Sequence, residues 1–234
     1  HKDSVNILRG IIISIARSDP ARAYELLQKH NFSTNDTVFQ SIFTSWLATD
    51  AASAISKIKK MPTSALQSIL SSPENIKNIV SHDPQELRNL MLHIPLSGST
   101  EQTLKNVFKY LGSNNSSLAV TILADLPESK FKGELTTHLF NRIAEYHPEQ
   151  IDEILREMPS ESLSHAILGA SQRLAVTNLD KALEISNMLN IQDRKLSMKN
   201  IGNVLASIQP QRALRLLDNP CLLYTSPSPR DRQK

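Results

Sequence analysis

Short polar or proline-containing junctions interrupt the apolar pattern of the chain at nearly regular intervals. Seven of them follow one another at spacings of 31–33 residues. Such a fixed period is the sequence signature of a repeat array, in which each repeat packs on its neighbours. The junctions are Asp19-Pro20, Asp50-Ala51, Asp83-Pro84, Asn115-Ser116, His147-Pro148, Asn178-Leu179 and Gln209-Pro210.

Each junction is followed by a short amphipathic segment. Apolar residues recur about four, seven and eight positions after most junctions, a spacing that places them on one face of a helix. Twelve residues after four of the junctions, Pro62, Pro95, Pro127 and Pro159 end the segment, because proline lacks the backbone donor that a helix needs. The residues four positions after the junctions are Ala23, Ala54, Leu87, Ala119, Ile151, Ala182 and Ala213.

The residues before each junction predict the first helix of the repeat. Apolar pairs stand three and four positions before the junction, and in most repeats one member of the pair is small. A second set of apolar residues lies about one helical turn earlier, so both sets share a face. The pairs are Ile15/Ala16, Trp46/Leu47, Ile79/Val80, Leu111/Gly112, Ile143/Ala144, Leu174/Ala175 and Leu205/Ala206.

These patterns predict an all-α fold: a right-handed α-solenoid of about seven helix-turn-helix repeats with a period of 31–33 residues, over residues 1–220. Neither sustained two-residue alternation nor a hairpin turn predicts strands. The repeat that begins near Thr63 is irregular because Pro73 interrupts its first helix. We expect two short helices or a kink there.

The pattern resembles the tetratricopeptide/HEAT class of helical repeats over residues 5–219. The shared features are proline between repeats and a small residue early in the second helix. The regular Trp, Leu-Gly and Tyr positions of the tetratricopeptide first helix are missing, and the period differs. The resemblance implies a scaffold that binds proteins or peptides, and it transfers no functional residue. The small residues are Ala23, Ala54, Ala119, Ala182 and Ala213.

The two ends of the chain depart from the repeat pattern. Residues 221–231 resemble the translation of a sequencing adapter, so residues 221–234 are expected to be a non-native or disordered tail and the repeat domain to be truncated at both ends. Without the tail, 23 basic and 22 acidic residues remain, and the formal charge falls from +3 to +1. The net charge therefore gives no support for nucleic-acid binding, which also needs a basic stripe with aromatic residues.

No known catalytic motif stands in the sequence. The histidines form no His-x-x-x-His pair, the six glycines form no phosphate loop, and Cys221, the single cysteine, lies in the tail. His82 precedes a junction and His147 is part of one, and at either place an imidazole can cap a helix C-terminus. We therefore expect a non-enzymatic protein without cofactor or metal site. No apolar run is long enough to span a membrane, and no feature assigns a compartment.

Charge on the predicted second helices points to a binding surface. Lys57, Lys59 and Lys60 cluster in one repeat, and Glu149, Asp152, Glu153 and Glu157 in another. If the second helices line a concave face, one groove would have a basic end and an acidic end, which would orient an extended protein or peptide of the opposite charge pattern. Ordinary solvated faces are the alternative, as are a structural spacer in a larger protein and a nucleic-acid-binding repeat. The candidate binding residues are Arg22, Glu25, Lys57, Lys60, Arg88, Asp152, Arg156, Lys181 and Arg215.

Overall fold

The computed structural model describes residues 2–34, 36–96 and 98–217. Within these ranges it contains 15 α-helices, one short 3₁₀ helix and no strand, which confirms the all-α prediction. The predicted tail at residues 221–234 lies outside the described residues. The helices are α1 (Lys2–Ala16), α2 (Pro20–Lys29), α3 (Thr37–Thr49), α4 (Ala51–Ile58), α5 (Thr63–Leu70), α6 (Pro73–His82), α7 (Pro84–Leu92), α8 (Glu101–Asn114), α9 (Ser116–Asp125), α10 (Lys130–Tyr146), α11 (Ile151–Glu157), α12 (Ser160–Thr177), α13 (Leu179–Ser186), α14 (Ile191–Ile208) and α15 (Pro210–Leu217).

The predicted junctions all lie between a first and a second helix. At five of them the junction side chain accepts a hydrogen bond from a backbone N–H in the first turn of the second helix, at 2.8–3.1 Å. These bonds satisfy amides that have no partner inside the helix. Proline occupies the first helical position after several junctions, where its missing N–H costs nothing. The capping residues are Asp19, Asp50, Asp83, Asn115 and Asn178.

The irregular repeat contains two short helices, as the position of Pro73 predicts. The first, α5, ends at Leu70, and the second, α6, begins at Pro73 with Ser72 as its N-cap. His82 is the last residue of α6, and His147 is the C-cap of α10. Both histidines therefore stand at helix C-termini.

The contacts of the chain divide it into two compact bodies, His1–Tyr110 and Leu111–Lys234. In the N-terminal body, α3 packs against α1, α2, α4 and α6. Its core holds an aromatic cluster of Tyr24, Phe39, Phe43 and Trp46, with neighbouring ring centroids 4.8–6.1 Å apart. Trp46 is only 6% exposed, so the one tryptophan of the chain reports on this core.

In the C-terminal body, the central helix α12 packs against both α10 and α14. Glycines allow the backbones of α10 and α12 to approach closely: a Cβ added to Gly133 would lie 2.5 Å from the His165 ring, and one added to Gly169 would overlap the Thr137 carbonyl oxygen. The second helices α13 and α15 pack on α12 and α14 respectively. This arrangement leaves parts of the second helices at the surface.

Candidate binding cleft between two second helices

The second helices α9 and α11 are joined at their N-terminal ends. Ser116, the first residue of α9, donates a hydrogen bond from its hydroxyl to the Gln150 side-chain oxygen. Gln150 ends a 3₁₀ turn, Pro148–Gln150, which leads directly into α11. This contact fixes where the two helices begin relative to each other.

A cavity of about 320 Å³ opens at the C-terminal ends of the same two helices. Its most buried lining residues are Leu123, 1% exposed, and Ser162, 6% exposed. Val120 and Met158 are half-buried, and the remaining lining residues are exposed. We call this feature the α9–α11 cleft; it is lined by Val120, Thr121, Leu123, Ala124, Asp125, Glu157, Met158, Pro159 and Ser162.

Both carboxylates that line the cleft stand at helix C-termini. Asp125 is the last residue of α9, and Glu157 is the last residue of α11. The unpaired carbonyl groups at a helix C-terminus already carry partial negative charge, so an added carboxylate there makes the local field more negative. The cleft therefore combines apolar side chains with an electronegative edge.

Lys132, a buried cation, caps the C-terminal end of α9. Its Nζ donates to the Leu126 carbonyl oxygen at 2.7 Å and to Glu128 Oε1 at 2.6 Å. Its side chain is only 5% exposed. These two acceptors hold the Lys132 side chain against the segment that follows α9. Lys132 does not line the cleft.

An ion pair joins α11 to the next second helix, α13. Asp152 Oδ2 lies 2.6 Å from Lys181 Nζ, and Lys181 also lies 3.1 Å from Glu184. The hydrogen bond to Asp152, aided by that to Glu184, raises the pKa of Lys181, although partial burial acts in the opposite direction. Thus Asp152 and Lys181, both predicted binding residues, pair with each other.

The other predicted residue of α11 remains at the surface. Arg156 is exposed, one position before Glu157 of the cleft. Arg215 lies in α15, but its side chain falls outside the described residues.

In the N-terminal body, several predicted cations already have partners. Arg22 pairs with Glu25 at 2.7 Å on the exposed face of α2, so two predicted residues engage each other. Lys57 Nζ lies 4.9 Å from the centre of the Tyr24 ring, a cation–π distance. Lys60 is exposed, two residues after the end of α4.

Two further basic residues of the N-terminal body, Lys59 and Arg88, make their contacts with residues of α7. Lys59 pairs with Glu86 at 2.6 Å, which links α4 to α7. Arg88, half-buried on α7, lies 3.3 Å from the Gln85 side-chain oxygen. The basic cluster belongs to the N-terminal body and the acidic helix α11 to the C-terminal body, so a single groove that connects them remains a prediction.

The α9–α11 cleft itself was not predicted. The sequence placed Glu157 in an acidic cluster and predicted no role for Val120 and Ala124. A signal was present in Pro127 and Pro159, which end the second helices at matching positions. The spacing between those ends depends on tertiary contacts such as Ser116–Gln150, which periodicity does not encode.

Neither a metal-binding cluster nor a membrane-spanning helix is found within the described ranges. No group of three or more His, Cys, Asp or Glu side chains is arranged there to hold a metal ion. Likewise, among those same residues no helix has the length and apolar character needed to cross a membrane.

Comparison of the chain with protein-family models, with curated proteins and with solved structures finds no match.

Proposed function

We propose that this chain is a non-enzymatic helical-repeat scaffold that binds a protein or peptide partner through its second helices. The observation that carries the proposal is the α9–α11 cleft, because it offers an apolar surface in a concave site. Its volume of about 320 Å³ lies at the small end of the range for ligand pockets. That space suits one or two side chains of a longer partner segment.

We also propose that the helix pairs form a right-handed solenoid of the tetratricopeptide/HEAT kind. The 31–33-residue period of the junctions supports this architecture. So does the recurrence of a small residue three positions before the junction: Ala144 and Ala175 are at most 1% exposed. At the same position of α8, a Cβ added to Gly112 would lie 3.0 Å from Leu139 of α10.

A substitution that fills the cleft tests the proposed binding site. The exposed residue Ala124 lines the cleft on α9, and Ala124→Trp places a large ring in it. Peptides selected from a random 15-residue library against the full chain should lose at least about tenfold in affinity for this variant, because one blocked anchor costs 1.4 kcal/mol or more.

Ala52→Trp is the matched control, since Ala52 is also exposed on a second helix, α4, but does not line the cleft. Affinity for the selected peptides should remain unchanged in this variant. Equal affinities of the two variants and the parent chain would refute the cleft as the binding site. A selection that returns no specific peptide would argue against the scaffold function itself.

An exposed face of α14 favours a second candidate function, which is that of a structural spacer within a larger protein. Ala206 is exposed there, although Ala144 and Ala175 at the same repeat position are buried. Ile191, on the same face, is 55% exposed. We propose that a further helix pair of this repeat covers the face. The spacer proposal requires additional repeats of 31–33 residues in the gene, and long-read sequencing without such repeats would refute it.

A further inference from the structure

The α9–α11 cleft carries two chemical features that together specify an occupant. Its interior is apolar, through Leu123, Val120 and Met158, whereas Glu157 and Asp125 supply carboxylates to the same cavity. A lysine or arginine side chain has this division as well, because an aliphatic stem carries a cationic end. Resting on the function proposed above, we infer that the cleft receives a lysine or arginine side chain of a basic partner segment.

Charge around the cleft favours a cation. Residues 149–157 contain four carboxylates and one arginine. That arginine, Arg156, is the chain neighbour of Glu157, and adjacent helical residues project in different directions. Asp152 is paired with Lys181, and Lys132 is held by Leu126 and Glu128. The surface next to the cleft thus keeps an excess of negative charge that complements a basic segment.

Ser162 provides an independent polar contact inside the cleft. The residue is 6% exposed and lines the cavity. Its hydroxyl makes no hydrogen bond to any residue that the structure describes. A hydroxyl oxygen that lines the cleft accepts a hydrogen bond from an ammonium or guanidinium group. Glu157 and Ser162 therefore form the two acceptors that receive the cation.

The occupant is a polypeptide segment and not a nucleic acid. A nucleic-acid site requires positive charge facing the phosphates, whereas the charge at this cleft has the opposite sign. The apolar lining of the cleft further favours a side chain with methylene groups, because these bury surface against Met158 and Val120. A basic segment that places one such side chain in the cleft satisfies both requirements.

The test uses peptides selected from the random library against the full chain. The selected peptides should contain a required lysine or arginine, and replacing it with norleucine should weaken binding about tenfold, because the charge-assisted hydrogen bonds are lost. Glu157→Gln in the protein should weaken binding by a similar factor, and Ser162→Ala by about threefold. The losses caused by the norleucine and Glu157→Gln changes should shrink at 500 mM salt (about 4 Å screening length).

Glu161→Gln is the matched control, because Glu161 is exposed in the first turn of α12 and does not line the cleft. Its effect should stay below about twofold. Peptides that Ala124→Trp blocks but that need no basic residue would overturn the cation inference and leave the proposed function intact. A failure to select any peptide would count against both. Unchanged circular dichroism of Glu157→Gln shows that its loss of binding is not a loss of fold.

Discussion

Asn75 joins three helices of the N-terminal body through a side chain that is fully buried. Its Nδ2 donates to the Ile69 carbonyl oxygen at 2.9 Å, in the last turn of α5. Its Oδ1 accepts from Thr44 Oγ1 of α3 at 2.8 Å. Because Asn75 itself belongs to α6, these bonds connect α5 and α6, the two short helices of the irregular repeat, to α3.

Replacing this side chain should destabilise the N-terminal body. In Asn75→Ala, the Thr44 hydroxyl and the Ile69 carbonyl lose buried partners, so the free energy of unfolding should fall by about 1–3 kcal/mol. Urea unfolding followed by the fluorescence of Trp46, which is buried in the same body, measures the change.

The matched control is Asn6→Ala, because Asn6 is exposed on α1. Surface changes of this kind usually alter stability by less than about 0.5 kcal/mol. If the two variants unfold at the same urea concentration, the bonds of Asn75 contribute no net stability.

The sequence predicted the role of a single residue only where the chemistry of its side chain and its position next to a predicted helix together define that role. Aspartate or asparagine before a short apolar segment predicted helix caps, and Asp19 and Asn115 accept the expected backbone hydrogen bonds. The same reasoning missed Asn75, because its role depends on which distant groups the fold brings beside it. A polar residue in an apolar setting is recognised only after its burial is known.

At the scale of helices, close packing between α10 and α12 depends on glycine. Gly169 of α12 faces the backbone of Thr137, and Gly133 of α10 faces the His165 ring. The sequence predicted small residues on the first helices but did not specify which of them meet a neighbouring backbone. Gly202 of α14 makes the contrast clear, because nothing lies within 4 Å of a Cβ added there.

Alanine at these two glycines should therefore have opposite effects. Gly169→Ala forces its methyl group against the Thr137 carbonyl and should lower the free energy of unfolding by about 1–3 kcal/mol. Gly202→Ala meets no obstacle and should raise it by about 0.5–1 kcal/mol, because alanine favours helix over glycine. Urea unfolding followed by circular dichroism at 222 nm compares the variants. Effects of the same sign would show that α10 and α12 do not pack this closely.

At the scale of the whole molecule, the repeat period predicted the element order well. The seven junctions each separate two helices, and Pro73 divides the irregular repeat as expected. The α9–α11 cleft was not predictable in the same way, because its width depends on how two non-adjacent helices diverge after the Ser116–Gln150 contact. The pattern describes what lies within one helix pair, whereas the cleft lies between two pairs.

The two bodies also limit how charge can be interpreted from sequence. The basic cluster near Lys57 and the acidic helix α11 belong to different bodies, so one groove with these two ends stays a prediction. Within its own body, Lys57 lies over Tyr24 and Asp152 pairs with Lys181. Much of the predicted binding charge thus contributes to contacts between helices. The negative edge at Glu157 is the part that accompanies a cavity.

Methyl NMR of methionine tests most directly whether the α9–α11 cleft binds a partner. The chain contains five methionines, and Met158 lines the cleft, whereas Met91 is buried in the N-terminal body and Met188 is 54% exposed between α13 and α14. With ¹³C-methyl methionine labelling, titration with the tightest selected peptide should shift the Met158 resonance most and leave Met91 and Met188 nearly unchanged. Saturation of binding without a shift at Met158, or with equal shifts at all three, would contradict binding in the cleft.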